Sequence, residues 1–311
     1  MAGVNQSLCL SRSDLKVLHI VPGTNDVANG MVVVANLLAE EQTEAEVVDL
    51  SNEIHESGVD EVWVHGMWLP KEWLVCWRVL RAGKRLVRMT HGSLSPLYLR
   101  HQSPFKKWLV GPIERWCLRR CNKIVATCEA EKGWIEKYLG KRCPAVEVTD
   151  IKRFFNINHG IRRTHGNEGP LHLLYLGRQH PLKGLEYLEE AIKSLPSVSS
   201  VYSVVQKPEL RIVSSAFGEE LEKVWDWCDV LVLPTLSDNF GLVVAEALER
   251  GKRVITTDGA PAWGGDNNYG GRLIYIKGFV EASDSVKVAL LKGAIESLHT
   301  INANECLPIK S

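Results

Sequence analysis

The chain has 311 residues, of which 45% are hydrophobic and 24% charged, and its 37 basic and 37 acidic side chains give a net charge of zero. This composition is typical of a globular protein and excludes a disordered chain, and the length suffices for two domains. Apolar runs are far shorter than the roughly 20 residues that a membrane-spanning helix needs. Because no leader-like segment opens the sequence, we expect a cytoplasmic protein.

The first half of the chain alternates between strand and helix patterns. Strands are predicted at residues 16–22, 45–50, 61–66, 85–92, 123–128 and 145–150. Helices are predicted at residues 31–42, 70–83, 103–121 and 129–140, with the third one bent at Gly111-Pro112. This interleaving predicts a parallel, doubly wound sheet covered by helices.

A polar stretch at residues 156–170 lacks periodicity and is predicted to be an interdomain linker. The alternation then restarts. Further strands are predicted at residues 171–177, 200–206, 209–215, 229–235 and 253–258. Further helices are predicted at residues 184–195, 219–228 and 285–298, and one more begins near Phe240. The sequence therefore predicts two α/β domains, over residues 1–160 and 161–311.

The cysteines are irregularly spaced, at positions 9, 76, 117, 121, 128, 143, 228 and 306. No two of them form a CxxC pair, and Cys117 and Cys121 have no histidine partner at a spacing typical of zinc sites. We therefore expect reduced, mostly buried thiols and no metal centre.

A candidate anion site follows the strand at 171–177, in the segment "GRQHPLKG". Open α/β sheets bind ligands at the carboxyl ends of their strands. Gly177, Arg178, Lys183 and Gly184 lie at such an end, just before a helix whose amides and dipole attract anions. An arginine that can chelate two oxygens and a lysine suit phosphates. The alternative, a glycine turn with two solvated cations, is equally consistent with this segment alone.

A second candidate follows the strand at 229–235. Ser237 or Asp238 can cap the next helix, and Gly241 leaves room for a ligand to approach. Glu246 lies on that apolar helix and offers two acceptor oxygens, which suit the paired hydroxyls of a ribose. The alternative is an ion pair of Glu246 with Arg250, one helical turn later. A third strand end, "TTDGAPAWGG", is expected to be structural.

The segments "GRQHPLKG" and "DVLVLPTLSDNFGLVVAEALERGKRVITTDGAPAW" resemble the linked signature of family-four retaining glycosyltransferases, the group 1 glycosyltransferases of the GT-B fold. Asn29-Gly30 lies where that family has a glycine loop, and Thr90-His91-Gly92 lies where it has an HG turn. The segment "NHGI" (158–161) resembles its entry to the second domain. The resemblance implies two Rossmann-like doubly wound domains that face each other across a cleft.

The resemblance implies transfer of a sugar, with its anomeric configuration retained, from a nucleotide diphosphate sugar to a glycan or lipid-linked acceptor. Bacterial cell-surface polysaccharide or lipopolysaccharide synthesis is the implied setting. Catalytic roles fall to His91 and Asp238, and an acceptor-side loop to Asn29 and Gly30. Donor contacts are implied for Arg178, Lys183 and Gly184 at the phosphates, for Phe240, Gly241 and Leu242 through backbone amides, and for Glu246 at the ribose. Because the sequence has no DxD, we expect neither a metal ion nor a cofactor.

Two departures from the family pattern matter. Asp238 stands where the family has a glutamate and is one methylene shorter. The second domain is also shortened, which puts the pocket for the nucleotide base in doubt. A non-catalytic nucleotide-sugar-binding or scaffolding subunit therefore stays open as the alternative.

Positive charge is concentrated between Arg78 and Lys123, a segment with twelve Lys or Arg residues and a single acid, Glu114. Five apolar side chains fall on one helical stripe of this segment: Phe105, Trp108, Leu109, Ile113 and Trp116. We expect the stripe to face the core, with a solvated basic rim around it. The cations also fit an anionic membrane surface or a lipid-diphosphate acceptor.

Two further classes of protein are disfavoured by missing motifs. No GxGxxG follows the first strand, as a nicotinamide-dependent oxidoreductase would require. No recognised nucleic-acid-binding module is present, so we expect no nucleic-acid partner.

Overall fold

The computed structural model describes residues 16–24, 29–52, 58–157, 169–195, 206–265 and 269–304. These residues form two compact units, which divide between Ile151 and Lys152. The sequence places this boundary slightly later, at residue 160. Each unit is built on its own parallel sheet, as the alternating patterns predict.

The first unit contains a six-stranded sheet in the order β2-β1-β3-β4-β5-β6. Its strands are β1 (Lys16–Val21), β2 (Glu44–Asp49), β3 (Glu61–His65), β4 (Arg85–Met89), β5 (Lys123–Ala126) and β6 (Val146–Val148). Its helices are α1 (Gly30–Glu40), α2 (Pro70–Arg81), α3 (Pro96–His101), α4 (Pro104–Leu109), α5 (Gly111–Leu118) and α6 (Glu129–Leu139). All adjacent strands pair in parallel.

Local sequence explains where these helices begin and end. The side chain of Asn29 accepts a hydrogen bond from the amide of Met31 and so caps α1. Pro70 occupies the first turn of α2, where its missing N–H has no helical acceptor to lose. Helix α6 ends at Gly140, whose φ of 63° only glycine adopts readily.

The basic segment differs from its prediction in two ways. Instead of one bent helix over 103–121, it forms α4 and α5, which break at Val110 beside Gly111-Pro112, and α3 precedes them. The predicted core-facing orientation of the stripe is wrong, because Trp108 is 77% exposed and Phe105 is 68% exposed. Helix α5 instead buries the residues between the stripe positions, Glu114, Cys117 and Leu118.

The second unit contains a five-stranded sheet in the order β11-β10-β9-β7-β8. Its strands are β7 (His172–Leu176), β8 (Glu209–Val213), β9 (Val230–Leu233), β10 (Arg253–Thr257) and β11 (Leu273–Ile276). Its helices are α7 (Leu185–Lys193), α8 (Gly218–Trp227), α9 (Leu242–Glu249) and α10 (Asp284–Asn304). The adjacent strands β7, β9 and β10 are those whose carboxyl ends carry the predicted ligand loops, so the topology brings these loops to one edge.

Some elements differ from the predicted ones, and some predicted segments lie outside the described residues. Strand β11 was not among the predicted elements, and α10 extends beyond the predicted end at residue 298. The predicted strand at 200–206 lies outside the described residues except for its last position, and so does "NHGI" at 158–161. Within the ranges given above, no helix is both long and apolar enough to cross a membrane.

Candidate functional site

The loop after β7 packs directly against the loop after β9. The carbonyl oxygen of Leu182 accepts hydrogen bonds from the amides of Leu236, at 2.8 Å, and Ser237, at 3.2 Å. Gly184 adopts a left-handed conformation, and a Cβ atom there would lie 2.1 Å from the carbonyl oxygen of Pro234. Only glycine therefore permits this approach of the two loops.

Two of the predicted ligand-binding side chains meet at this junction. Lys183 Nζ forms an ion pair with Asp238 Oδ2, and both side chains are about four-fifths buried. The other carboxylate oxygen of Asp238 accepts a hydrogen bond from the amide of Gly241 at 3.1 Å. The N-cap residue of α9 is Gly241 and no side chain caps the helix, so the predicted cap by Ser237 or Asp238 does not form. Asp238 instead bonds the backbone of Gly241 and holds the lysine over the same loop.

The third strand end supports the other two, as the sequence suggests. The amide of Asp238 donates to the carbonyl of Gly259 at 2.7 Å. A Cβ atom at Gly259 would lie 2.0 Å from the carbonyl oxygen of Thr235, so this close approach also requires glycine. The indole N–H of Trp263 donates to the carbonyl of Phe240. The loop after β10 therefore fixes the backbone from which α9 begins.

Three residues predicted to offer backbone amides lie where α9 begins, two of them just before the helix. Phe240 is buried against Trp263, with ring centroids 5.4 Å apart. Gly241 has a φ of 68° and Leu242 is the first helical residue. The amide N–H groups at the start of a helix lack intrahelical acceptors and attract anions. The loop and helix thus present donors at the same edge as Lys183.

Glu246 lies one turn into α9 and is partly buried. The alternative ion pair with Arg250 does not form, because the Arg250 guanidinium bonds Glu222 at 2.8 Å. In the part of the chain that the structure describes, the Glu246 carboxylate has no hydrogen bond or ion pair. Burial raises the pKa of Glu246, with a smaller opposing effect from Arg250. The carboxylate is therefore available to a ligand with hydroxyl donors.

Arg178 is placed at the same loop but is not joined to the other residues. Its side chain is exposed, and its carbonyl oxygen accepts a hydrogen bond from the Tyr175 hydroxyl at 3.0 Å. Among the described residues, the Arg178 guanidinium makes no hydrogen bond or ion pair. Direct contact thus joins Lys183 to Asp238, whereas Arg178 and Glu246 stand separately at the same edge of the sheet.

In the first unit, a buried carboxylate fixes the turn that carries His91. Glu131 Oε1 accepts hydrogen bonds from the Thr90 hydroxyl at 2.7 Å and the Gly92 amide at 2.6 Å. Its other oxygen accepts two hydrogen bonds from Thr127. Between the two anchored neighbours, His91 adopts a φ of 48°, which is uncommon outside glycine.

The His91 ring is the end of a line of three histidines. His91 Nε2 lies 2.9 Å from His65 Nδ1, and His65 Nε2 lies 2.9 Å from His19 Nδ1. His19 Nε2 lies 2.9 Å from Gln42 Oε1, which ends the line. Burial lowers the pKa of His19 and His91 to about 4 and that of His65 well below its ordinary value. All three rings are therefore neutral at pH 7.

Sequence reasoning identified His91 but missed the rest of this line. His19 and His65 lie within the buried strands β1 and β3, where a polar side chain is unusual and needs a partner. A histidine within an otherwise apolar strand is therefore the feature of the sequence that indicates a buried hydrogen-bond partner.

The predicted acceptor-side residues have a structural role in the described geometry. Asn29 caps α1 and donates from its amide group to the carbonyl of Pro22 at 2.8 Å. Gly30 is the first residue of α1. In the described ranges, no cluster of three or more His, Cys, Asp or Glu side chains could hold a metal ion.

Two protein-family models match the chain in succession. Residues 28–156 match "Glycosyltransferase Family 4", and residues 170–284 match "Glycosyl transferases group 1". The first match covers most of the first unit, and the second covers the loops described above. No curated protein sequence matches the chain.

Solved structures share the fold at low sequence identity. Sucrose-phosphate synthase from Thermosynechococcus elongatus is 14% identical, with a TM-score of 0.65 over 93% of this chain and 90% of that one. HepE from Anabaena, solved with UDP, is 14% identical, with a TM-score of 0.58 over 91% of each chain. The lipopolysaccharide outer core galactosyltransferase WaaB is 12% identical, with a TM-score of 0.57 over 91% of each chain. Both halves of the chain therefore match glycosyltransferase family models, the second half that of group 1, and the chain has the GT-B fold.

Proposed function

We propose that this glycosyltransferase transfers a sugar, with retention of its anomeric configuration, from a nucleotide diphosphate sugar to a glycan or lipid-linked acceptor. One observation carries the proposal: the carboxyl edge of the second sheet combines a lysine held by an acid with a partly buried carboxylate that has no described partner. The lysine suits a diphosphate and the carboxylate suits a ribose. Both groups belong to the segments matched by the group 1 model.

The residues predicted for catalysis and for donor binding each have a place in this proposal. Lys183 and Arg178 hold the diphosphate, with Gly184 allowing the loop to approach. The amides of Phe240 and Leu242 add hydrogen-bond donors at the dipole of α9, and Gly241, whose amide stays bonded to Asp238, lets the donor approach the backbone. Glu246 binds the ribose hydroxyls, Asp238 binds hydroxyls of the donor sugar, and His91 acts near the bond that breaks.

The Lys183–Asp238 ion pair gives this site a preorganised starting state. When the donor binds, Lys183 exchanges one anionic partner for another, so its charge is never left buried without compensation. Asp238 is then free to accept hydrogen bonds from sugar hydroxyls while it keeps its hydrogen bond to Gly241. The shorter aspartate is therefore compatible with a donor-binding role.

The proposed chemistry depends on positioning and charge. As the bond between sugar and phosphate breaks, negative charge grows on the leaving diphosphate, where Arg178, Lys183 and the first amides of α9 stabilise it. The leaving phosphate takes the proton from the attacking hydroxyl on the same face of the sugar, so the configuration is retained. Holding acceptor and donor together supplies much of the remaining acceleration. No metal ion or cofactor is part of this proposal.

The acceptor and cellular setting are proposed from the family and its neighbours. HepE was solved with UDP, and WaaB is a lipopolysaccharide galactosyltransferase, which agrees with a role in surface polysaccharide synthesis. We place the protein in the cytoplasm, in peripheral contact with an anionic membrane surface.

A donor screen tests the proposal. Thermal shifts with UDP, GDP and ADP sugars identify the nucleotide, and NMR of the product with the best donor reports the anomeric configuration. We expect one nucleotide class to stabilise the protein and the product to keep the donor's configuration. An inverted product would contradict retention. Binding without transfer or hydrolysis across an acceptor panel would instead favour a non-catalytic nucleotide-sugar-binding subunit.

A further inference from the structure

One face of the first unit exposes large apolar side chains to an unusual extent. Among the described residues, eleven large hydrophobic side chains are exposed, and eight of them lie on or beside α2, α4 and α5. We call these eight the aromatic face: Leu69, Leu74, Trp77, Phe105, Trp108, Leu109, Ile113 and Trp116. Helix α5 contacts both α2 and α4, so the three helices adjoin. Large apolar side chains exposed on adjoining helices mark a candidate interaction surface.

The segment that carries the aromatic face exposes charged side chains of a single sign. Between residues 69 and 123 the only acids are Glu72 and Glu114, and both are fully buried beside the buried Arg88. No described acid of this segment is left to neutralise the cations at its surface. Arg81 lies over the ring of Trp77, and Arg120 lies over the ring of Trp116.

A cavity of about 320 Å³ lies within the same unit, next to α4 and α5. It is lined by Trp68, Leu99, Arg100, Lys107, Arg115 and Tyr138. The Arg115 guanidinium stacks 4.3 Å from the centre of the Tyr138 ring, which holds its charge at the cavity wall. Three cations around an apolar floor suit a phosphate group that carries a hydrocarbon substituent.

We propose that the aromatic face inserts into the headgroup region of an anionic bilayer, with the cavity receiving a lipid phosphate. Tryptophan and phenylalanine favour this region, and each surface cation gains about 1 kcal/mol near anionic lipid. A protein partner would need acidic side chains opposite every cation. A nucleic acid would leave the aliphatic Leu74, Leu109 and Ile113 in water. This proposal deepens the membrane contact named in the proposed function, and it does not depend on transfer activity. Its failure would remove the membrane contact and leave the proposed sugar transfer untouched.

Co-sedimentation with vesicles tests the surface. We expect the protein to pellet with phosphatidylcholine vesicles that contain phosphatidylglycerol, and not with phosphatidylcholine alone. The double variant Phe105→Ser, Trp108→Ser should weaken binding about tenfold or more. Phe217→Ser is the matched control, since Phe217 is 49% exposed in the other unit, and it should bind as the wild type does.

A second pair of measurements separates the cavity from diffuse charge. Arg100→Gln with Arg115→Gln should weaken binding more than Arg81→Gln with Arg120→Gln, although each pair removes two cations. Equal pelleting on neutral and anionic vesicles, or an unchanged Phe105→Ser, Trp108→Ser variant, would overturn the proposal. A single-stranded oligonucleotide and inorganic phosphate at equal charge are then compared as competitors. If only the oligonucleotide displaces the protein from vesicles, the aromatic face binds nucleic acid instead.

The line of histidines carries a second, independent inference. A neutral imidazole has one N–H and one lone pair, so each ring in a hydrogen-bonded line fixes the tautomer of the next. With Gln42 Oε1 as acceptor, His19 donates from Nε2 and accepts at Nδ1. His65 and His91 must then also donate from Nε2. The line leaves His91 Nδ1 with a lone pair.

We propose that Gln42, His19 and His65 are positioning residues that set the tautomer of His91, so that its Nδ1 accepts a hydrogen bond from a ligand hydroxyl. The tautomer follows from the hydrogen-bond geometry, because the side-chain oxygen of Gln42 faces His19 Nε2. Its use in transfer rests on the proposed role of His91 near the donor sugar. No titration is needed for this device, because every ring stays neutral.

Substitution at the far end of the line gives the sharpest test. Gln42→Glu keeps an acceptor at His19 Nε2, whereas Gln42→Leu removes it and frees the line to reverse. At pH 8, ¹⁵N NMR of histidine-labelled protein should show His91 with an unprotonated Nδ1 in the wild type and in Gln42→Glu. In Gln42→Leu the proton should move to Nδ1. Thr43→Val, at the exposed neighbouring position, is the control and should change nothing.

Two results would overturn this inference: a protonated Nδ1 on His91 in the wild type, or an unchanged His91 signal in Gln42→Leu. Kinetics distinguish it from the proposed function. If the tautomer of His91 switches in Gln42→Leu but kcat does not change, the inference about the tautomer stands. His91 is then removed from the proposed transfer step.

Discussion

Glu246 places a carboxylate on an apolar helix without a neutralising partner among the described residues, and Lys183 forms an ion pair with Asp238. If these side chains bind the donor, Glu246→Ala and Lys183→Ala should each lower kcat/KM more than tenfold, a loss above about 1.4 kcal/mol. Steady-state kinetics with the best donor measure this. Circular dichroism melts show whether the fold survives.

Glu222→Ala is the control for both variants. It removes the partner of Arg250 in an exposed ion pair, which contributes about 0–1 kcal/mol to stability and nothing to the proposed site. Near-normal activity in Glu246→Ala or Lys183→Ala would count strongly against the assigned roles.

The neutral histidines give stability a pH dependence. Burial lowers the pKa of His19 and His91 to about 4, below the 6.5 expected for an unfolded histidine. Between these values the unfolded chain binds more protons, so the histidines make the free energy of unfolding fall as pH drops from 6.5 to 4. Glu72 opposes them, because burial raises its pKa to about 7 and favours the folded state at lower pH.

Urea denaturation across this pH range isolates the contribution of one ring. We expect His19→Gln to be less stable at pH 7 but to lose less stability than the wild type on acidification, because one proton-binding group of the unfolded chain is gone. Parallel stability curves for the two proteins would show that His19 is not held neutral in the fold.

At the scale of elements, one buried arginine joins β4 to two helices. Arg88 donates to the carbonyl of Gly66 at 2.8 Å and lies 3.6 Å from Glu114 of α5 and 4.0 Å from Glu72 of α2. Glu114 in turn accepts a hydrogen bond from the Trp73 indole at 2.7 Å. The helices that carry the aromatic face are therefore anchored from inside by charge.

Arg88→Met should leave both buried carboxylates without their cation and destabilise the protein by about 3–5 kcal/mol. Arg85→Met, which removes an exposed partner of Glu61, should cost about 1 kcal/mol or less. Urea midpoints measure both. A loss below about 1 kcal/mol for Arg88→Met would contradict the role of this cation in anchoring the two helices.

The loops of the second unit depend on glycines at specific contacts. Gly259→Ala should disrupt the junction of the β9 and β10 loops, because its Cβ would lie 2.0 Å from the carbonyl oxygen of Thr235. We expect lower stability and weaker binding of the nucleoside diphosphate by calorimetry. Gly265→Ala adds a Cβ with no neighbour within 4 Å and should match the wild type. Equal behaviour of the two variants would contradict this account.

Most elements could be predicted from periodicity, because the strands of a parallel sheet are buried on both faces and read as apolar runs. The orientation of α4 and α5 could not, since their stripe has the spacing of a core-facing helix, and only the buried Glu114 behind it reveals which side is inside. The line from Gln42 to His91 was equally hidden. Its members come from segments that are distant in sequence and adjoin only through the register of β1, β3 and β4.

Across the whole molecule, the two units divide the predicted tasks. The second unit carries the loops matched by the group 1 model, where Lys183, Asp238 and α9 meet. The first carries the His91 turn, the aromatic face and the concentration of cations. The zero net charge of the chain therefore conceals a basic surface on one unit. We therefore expect variants in the second unit to lose donor binding alone, and variants of the aromatic face in the first unit to lose vesicle binding alone.

A crystal structure of the protein with the nucleoside diphosphate of its preferred donor tests the central claim most directly. The account predicts both phosphates against Arg178, Lys183 and the first turn of α9, with the ribose hydroxyls on Glu246. A nucleotide bound elsewhere, or one that touches Lys183 while Glu246 faces a different cavity, would contradict it.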